Sequence, residues 1–231
     1  MRGNNRGVPM FDSQQMLREI EADVKYTRGM IGKSKLDSRV MEAMGQVPRH
    51  EFVLPGELGR AYYNGPLPIG HGQTISQPYI VALMTDLLNP EPEDVILEVG
   101  TGSGYQAAVL SQVVGQVFTM EIIEALSERA AGVLHRLGYT NVECRTGDGY
   151  YGWPEQAPFD GIIVTAAAAT IPQPLVDQLK PGAKLVIPVG LPYSHQELML
   201  VEKEEAGTTA MRSILGVAFV PLTGGSEGRE K

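Results

Sequence analysis

The chain has 231 residues, 43% of them hydrophobic, with a formal net charge of −8 at pH 7 and a pI near 5.1. That size can bury one full core, and the acidic balance, with no lysine/arginine cluster, argues against a nucleic-acid enzyme, which meets phosphates with a basic stripe. A single cysteine, Cys144, excludes an intramolecular disulfide framework and a cysteine-rich zinc site; on a strand it reads as a buried small hydrophobe.

Residues 1–10 carry positive charge with no apolar segment behind them, so a disordered tail is expected rather than a secretory leader. Residues 11–29 place Phe11, Met16, Leu17, Ile20 and Val24 at helical spacing. Asp37 is a candidate N-cap for a second helix through Val40, Met41 and Met44, stopped by Pro48. From 47 to 77 the chain is rich in proline and glycine, and an irregular stretch of that length is functional or disordered. A helix follows Pro78, carrying Ile80, Val81, Leu83, Met84, Leu87 and Leu88.

After Pro92 the rhythm becomes strand, glycine turn, helix. The expected strands are 95–99, 117–121, 142–145, 161–165 and 184–189, with helices from the glycine turn to about 114, at 123–137 before Gly138, and at 172–180. Residues 198–201 and 214–220 read as an antiparallel pair. The predicted fold is α/β: a Rossmann-like, doubly wound sheet with an N-terminal helical extension and a C-terminal antiparallel β-hairpin. Residues 11–91 are expected to pack as helices and loops on a core formed by 92–231, in one globular domain. The longest apolar candidate for a membrane span, 161–171, is too short and is closed by Pro172, which leaves a soluble cytoplasmic protein as the expectation.

Three features suggest a nucleoside ligand. The run Glu98-Val-Gly-Thr-Gly-Ser-Gly104 ends a strand and opens a helix, so its glycines allow close backbone approach to a ligand at a helix N-terminus. A dinucleotide fingerprint needs its third glycine one position later, where Tyr105 stands, so a nicotinamide dehydrogenase is disfavoured. Glu121, at the end of the next strand, can accept ribose hydroxyls, and Asp148 in Gly147-Asp148-Gly149 can accept from an adenine amino group. Taken singly, Glu121 could be a solvated strand end and Asp148 a turn residue. Trp153 and the pair Tyr150 and Tyr151 either pack near an adenine or belong to the core. His50, His71, His135 and His195 all have ordinary loop or helix-end explanations, and no metal cluster is evident.

The spacing Gly100-Thr101-Gly102-Ser103-Gly104 after Glu98 resembles the first motif of S-adenosylmethionine-dependent methyltransferases. Upstream, Tyr63-Asn-Gly-Pro-Leu-Pro-Ile-Gly-His-Gly-Gln-Thr-Ile-Ser-Gln-Pro-Tyr79 resembles the signature of protein-L-isoaspartate O-methyltransferases, with Tyr79 where many members carry histidine. Val47-Pro-Arg-His-Glu-Phe-Val53, Pro158-Phe-Asp-Gly-Ile-Ile-Val-Thr-Ala-Ala-Ala168, Leu185-Val-Ile-Pro-Val-Gly190 and Phe219-Val-Pro-Leu222 extend the likeness over roughly 12–222.

The resemblance implies methyl transfer from S-adenosylmethionine, giving S-adenosylhomocysteine, to the free α-carboxylate of L-isoaspartyl residues, and of D-aspartyl residues as a further substrate. Partners would be damaged proteins and peptides, with neither nucleic acid nor membrane, and a monomer is favoured. It implies cofactor contacts from Glu98, Gly100, Thr101, Gly102, Ser103, Gly104, Glu121, Asp148 and Gly149. Glu98 would lie near the cationic methionyl portion. Ser76 would orient the substrate carboxylate, although serine before Pro78 could equally be a plain helix N-cap. Thr74 and Ile75 would line the same cleft, Pro68 and Ile69 would form one wall, and Val220 would offer backbone to an extended peptide. Two other readings stand beside this one: a methyltransferase with another acceptor, and a non-catalytic adenosine-binding module.

Overall fold

The computed structural model describes residues 13–192, 194–204 and 207–225; the expected tail at 1–10, and Phe11, lie outside the described residues. Helix α1 (Ser13–Ile31) turns Met16, Ile20, Val24 and Ile31 inward, four residues on one helical face. Helix α2 (Ser38–Gln46) starts where Asp37 caps it, the carboxylate accepting the Arg39 amide at 2.8 Å.

Residues 47–77 are more ordered than their composition suggests. Two tight helical turns, Arg49–Phe52 and Pro55–Arg60, lead into a small hairpin of β1 (Leu67–Gly70) and β2 (Gln73–Ile75). Its tip, Gly70-His71-Gly72, has three successive positive φ angles of 89°, 53° and 71°, a path the two glycines take without cost while the histidine is tolerated between them. This hairpin gives little periodic signal because each strand is only three or four residues long.

Helix α3 (Pro78–Leu88) is buried on nearly all sides. Its Asp86 carboxylate, inaccessible to water, accepts Lys33 Nζ at 2.5 Å and the Asp37 amide at 2.6 Å, tying α3 to the α1–α2 connection. The helix ends at Asn89, which takes the left-handed conformation asparagine tolerates.

The seven-stranded sheet is built from β3 (Val95–Val99), β4 (Gln116–Glu121), β5 (Val142–Thr146), β6 (Phe159–Val164), β7 (Leu179–Val189), β8 (Gln196–Lys203) and β9 (Thr209–Val217). Their spatial order is β5-β4-β3-β6-β7-β8-β9; β3 to β7 are parallel, and β8 and β9 are added antiparallel at one end. Alternate residues of the central strands enter two different cores. Ile96, Ile163 and Val186 face the cluster formed with α1 to α3, α4 (Tyr105–Leu110) and α5 (Glu124–Arg136). Leu97, Val99, Ile162, Val164, Leu185 and Ile187 face the other, which includes Leu175 and Val176 of α6 (Gln173–Asp177). The strand order reverses at β3, so the crevice expected at a topological switch point opens above the ends of β3 and β6.

Two helices are shorter than their sequence predicts. Past Leu110, the Ser111 hydroxyl donates to the Ala108 carbonyl at 2.7 Å, and Val113, Val114 and Gly115 disfavour another turn, so α4 stops short of 114. Helix α6 ends at Asp177 because the Gln178 carbonyl already accepts the Phe159 amide, and its side chain bridges Trp153 N and Tyr151 O at 2.8 Å each. Among the described residues no helix is long and apolar enough to cross a membrane.

Candidate active site

The turn after β3 is shaped by its backbone. Gly100, Gly102 and Gly104 have φ of 99°, 53° and 87°, and the amides of Gly100 and Thr101 both donate to the Met120 carbonyl at 2.8 and 3.1 Å, binding the turn to β4. A Cβ on Gly100 would run into Thr165 Oγ1, which itself donates to the Gly100 carbonyl at 2.5 Å. Gly104 faces α5, where an added Cβ would stand 3.3 Å from Ala130 and Leu134.

Glu98 lies beneath this turn, wholly buried. Its Oε2 accepts Thr119 Oγ1 at 2.5 Å, and Thr119 in turn pairs with Thr101 Oγ1 at 2.6 Å. Because Thr119 gives its proton to the carboxylate, Thr101 is the donor in the second bond. Glu98 Oε1 is buried with no hydrogen-bond partner. Burial pushes the Glu98 carboxyl up to about 8, the Thr119 bond opposing and the nearby Glu121 charge adding to the shift. An unmatched carboxylate oxygen of this kind fits a cationic ligand group.

Glu121 ends β4. Its Oε2 accepts the Gly102 amide at 2.8 Å and its Oε1 the Ile123 amide at 3.0 Å, which leaves lone pairs for hydroxyl donors. Glu121, Gly149, Met120, Ile122 and the run Val220 to Thr223 surround one cavity; Gly149 carries no Cβ where Val99 Cγ1 would block it. Asp148 stands behind that wall, with Oδ1 accepting the Tyr150 amide at 3.0 Å and Oδ2 the Gly225 amide at 2.8 Å. Trp153 is a core residue, edge-on to Phe118 with ring centroids 5.2 Å apart.

A smaller cavity joins Glu98, Gly100, Thr101, Gly102 and Ser103 to Thr74, Ile75 and Ser76. A third, of about 520 Å³, opens outward between Pro66, Ser76, Gln77, Ile80 and the strand-end residues 216–219. Thr74 and Thr165 border all three spaces, and Ser76 the last two. Gln77, not Ser76, is the N-cap of α3. The Ser76 hydroxyl makes no hydrogen bond within the chain among the described residues, while its carbonyl accepts Arg49 Nη2 at 2.8 Å.

Of the remaining candidates only some reach these cavities. Pro68 is exposed on β1; Ile69 is fully buried, its carbonyl accepting Arg129 Nη2 at 2.7 Å, and neither lines these cavities. Val220 borders the cavity beside Glu121 and Gly149, with its carbonyl committed to the Ala167 amide at 2.8 Å. His195 lines the outer cavity with its ring Nε2 3.0 Å from Glu197, although it reads in sequence as an ordinary loop residue. Cys144 is half-buried rather than buried, with its thiol pushed up to about 11 by desolvation.

Thr119, Thr165 and Arg49 take part in this geometry and carry no role in a sequence reading. The signal for Thr165 is positional: it follows β6, beside the strand-order reversal where α/β sheets bind ligands. Thr119 is a polar residue between the apolar Phe118 and Met120 in a buried strand, which marks a buried partner to be found.

A glycine turn after the first central strand, an acidic residue within that strand and another ending the adjacent strand are the arrangement expected of an S-adenosylmethionine-dependent methyltransferase. Residues 28–227 match the family described as protein-L-isoaspartate(D-aspartate) O-methyltransferase, and the chain belongs to that family. A protein-L-isoaspartate O-methyltransferase 2 of Syntrophobacter fumaroxidans is 65% identical over 91% of this chain and 85% of its own. One of the same name from Nitrosococcus oceani is 61% identical over 94% of this chain and 99% of its own. A solved protein-L-isoaspartate O-methyltransferase superposes with a TM-score of 0.77 at 30% identity, covering 90% of this chain and 66% of that one. A Plasmodium falciparum structure described as a putative member, in complex with S-adenosyl-L-homocysteine, gives 0.72 at 26% identity, covering 89% and 97%.

Proposed function

We propose that the joined cavities carry out methyl transfer to the free α-carboxylate of L-isoaspartyl residues, and also of D-aspartyl residues, in damaged proteins. The observation that carries this reading is the meeting of the glycine-lined inner space and the outer cavity at Thr74, Ser76 and Thr165. S-adenosylmethionine, when bound, supplies the electrophilic methyl group.

The chain's own residues do the rest by placement. Glu98 Oε1 and the glycine turn would receive the charged end of the cofactor, and Glu121 the ribose hydroxyls. Gly149 would let the adenine approach, with Asp148 on its far side. The acceptor carboxylate is ionised near neutral pH, its reference pKa being about 3.5, so no general base is required. Ser76 would hold that carboxylate by its unpaired hydroxyl, between the Ile75 side of the smaller cavity and the Ile80 side of the outer one, and water expelled by the bound substrate would favour the loss of charge in the transition state. The resulting methyl ester closes to a succinimide, whose hydrolysis returns some normal aspartate. Cytoplasmic residence and a monomeric state accompany this reading.

The test is transfer of labelled methyl from S-adenosylmethionine to two peptides differing only in an isoaspartyl or an aspartyl linkage. Label in the isoaspartyl peptide alone, lost as methanol in mild base, supports the proposal; label in neither, with the cofactor still bound, refutes the acceptor. Ser76→Ala is expected to lower kcat about 10- to 100-fold, the worth of one hydrogen bond to a charged group, with cofactor affinity kept. Unchanged turnover would remove Ser76 from the reaction. Glu121→Ala should weaken cofactor binding by on the order of 1–3 kcal/mol by calorimetry. It should also lower the melting temperature, because the Gly102 and Ile123 amides lose their acceptor. An unaltered Kd would rule out the ribose contact.

A further inference from the structure

Among the described residues Arg49 is the largest fully buried side chain, and no carboxylate accompanies it. Its guanidinium is spent on three backbone carbonyls from two segments, the 61–65 loop and Ser76. Nε donates to Ala61 at 2.9 Å, and Nη2 to Ser76 at 2.8 Å and, more weakly, to Gly65 at 3.4 Å. Its plane lies against Tyr105, with Cζ 4.8 Å from the ring centroid, and Nη1 is buried without a hydrogen-bond partner. Burial brings its pKa down to about 10, the Tyr105 phenol group partly opposing, so the group stays charged at neutral pH.

A cation buried among neutral acceptors is costly, and apolar side chains would fill the same volume more cheaply. What an apolar residue cannot do is bind three carbonyls at once. The forked donors of arginine meet that need, whereas lysine offers a single point of charge.

The position of those carbonyls gives the fork its use. Ser76 lies between β2 and α3, with its hydroxyl unpaired and its peptide group held through one contact from below. The helix start beside it is fixed from another side: the Tyr79 amide donates to Asn64 Oδ1 at 3.1 Å, and Asn64 and Gln77 both donate to Asp23 Oδ2, at 2.8 and 3.3 Å. We infer that Arg49 is a positioning residue for methyl transfer: its fork fixes the Ser76 peptide relative to the 61–65 loop, so the Ser76 hydroxyl meets the acceptor carboxylate in one orientation. This rests on the role of Ser76 proposed above.

A double-mutant cycle on the full chain tests it, using Arg49→Lys, Arg49→Gln, Ser76→Ala and the two doubles, with kcat, KM for an isoaspartyl peptide and cofactor Kd measured for each. Arg49→Lys is expected to cut kcat about 10- to 100-fold by misplacing the hydroxyl while leaving cofactor Kd within about twofold. In the Ser76→Ala background the same change should cost less than about threefold, since its target is already gone. A full, additive loss in that background overturns the inference while sparing Ser76, as does a matching loss of cofactor affinity. Turnover unaffected by Ser76→Ala alone overturns the Ser76 reading and this inference with it. If neither Arg49 variant folds, Arg49 is a structural brace only, and the inference fails.

Discussion

Gly100→Ala is expected to abolish cofactor binding and to destabilise the protein by roughly 2–5 kcal/mol, combining a disfavoured positive φ with local overpacking. The two penalties have separate sources. At φ 99° a Cβ crowds its own backbone, and the same atom meets Thr165 Oγ1, which donates to the Gly100 carbonyl. Relief requires either Thr165 or the turn to move, and Thr165 borders all three cavities. The turn cannot move freely, because the Gly100 and Thr101 amides are fixed to Met120. Calorimetry with S-adenosylhomocysteine and urea unfolding read the two effects. Gly56→Ala is the control: nothing lies within 4 Å of its added Cβ, so stability should change by less than about 0.5 kcal/mol. Wild-type cofactor affinity in Gly100→Ala would show that the turn is not the cofactor cradle.

The second large effect is a coupling of cofactor affinity to pH. Glu98 has its folded pKa raised to about 8 by burial, so from the ordinary glutamate range up to about 8 the folded chain holds a proton the unfolded chain has released. Stability of the cofactor-free protein therefore falls as pH rises through that window. A cationic ligand group beside Oε1 favours the ionised form, so binding in the same window expels the proton. Affinity should climb by up to about tenfold per pH unit and level off above the Glu98 pKa. Titration calorimetry at pH 7 in buffers of different ionisation enthalpy should show nearly one proton released, and Glu98→Gln should remove both the release and the slope. Proton uptake, or none, would separate Glu98 from the charged end of the cofactor.

The readable and unreadable parts of the site differ in how they are held together. Glu98, the glycines and Glu121 lie on one contiguous strand-turn-helix-strand run, and strands with both faces buried announce themselves as apolar runs. The antiparallel pairing of β8 and β9 was legible too, but not its extent: β9 is Thr209–Val217 where 214–220 is expected, because most of its residues are not buried and leave no apolar run. What composition hid was the 47–77 region, whose structure depends on contacts far along the chain: Arg49 to Ser76, Asn64 to Tyr79, Asn64 and Gln77 to Asp23. No local pattern of spacing encodes such bonds. Ser76 shows the limit sharply. Its sequence context offers a helix cap, yet the cap position falls one residue later and the donor it would have met is taken by Asn64. Proline and glycine content signalled a break from regular structure without signalling the hairpin tip, which is set by backbone angles at 70–72.

The borrowed cap on α3 also shapes how this part of the molecule opens. Because the Tyr79 amide is satisfied by a side chain fifteen positions upstream, the first turn of α3 loses that partner whenever the 61–65 loop lifts away. Loop and helix end are thereby coupled, and amide exchange at Tyr79 is expected to require undocking of the loop as well as fraying of the helix. Pro66, Ser76 and Gln77, which border the mouth of the outer cavity, flank that same loop and helix start.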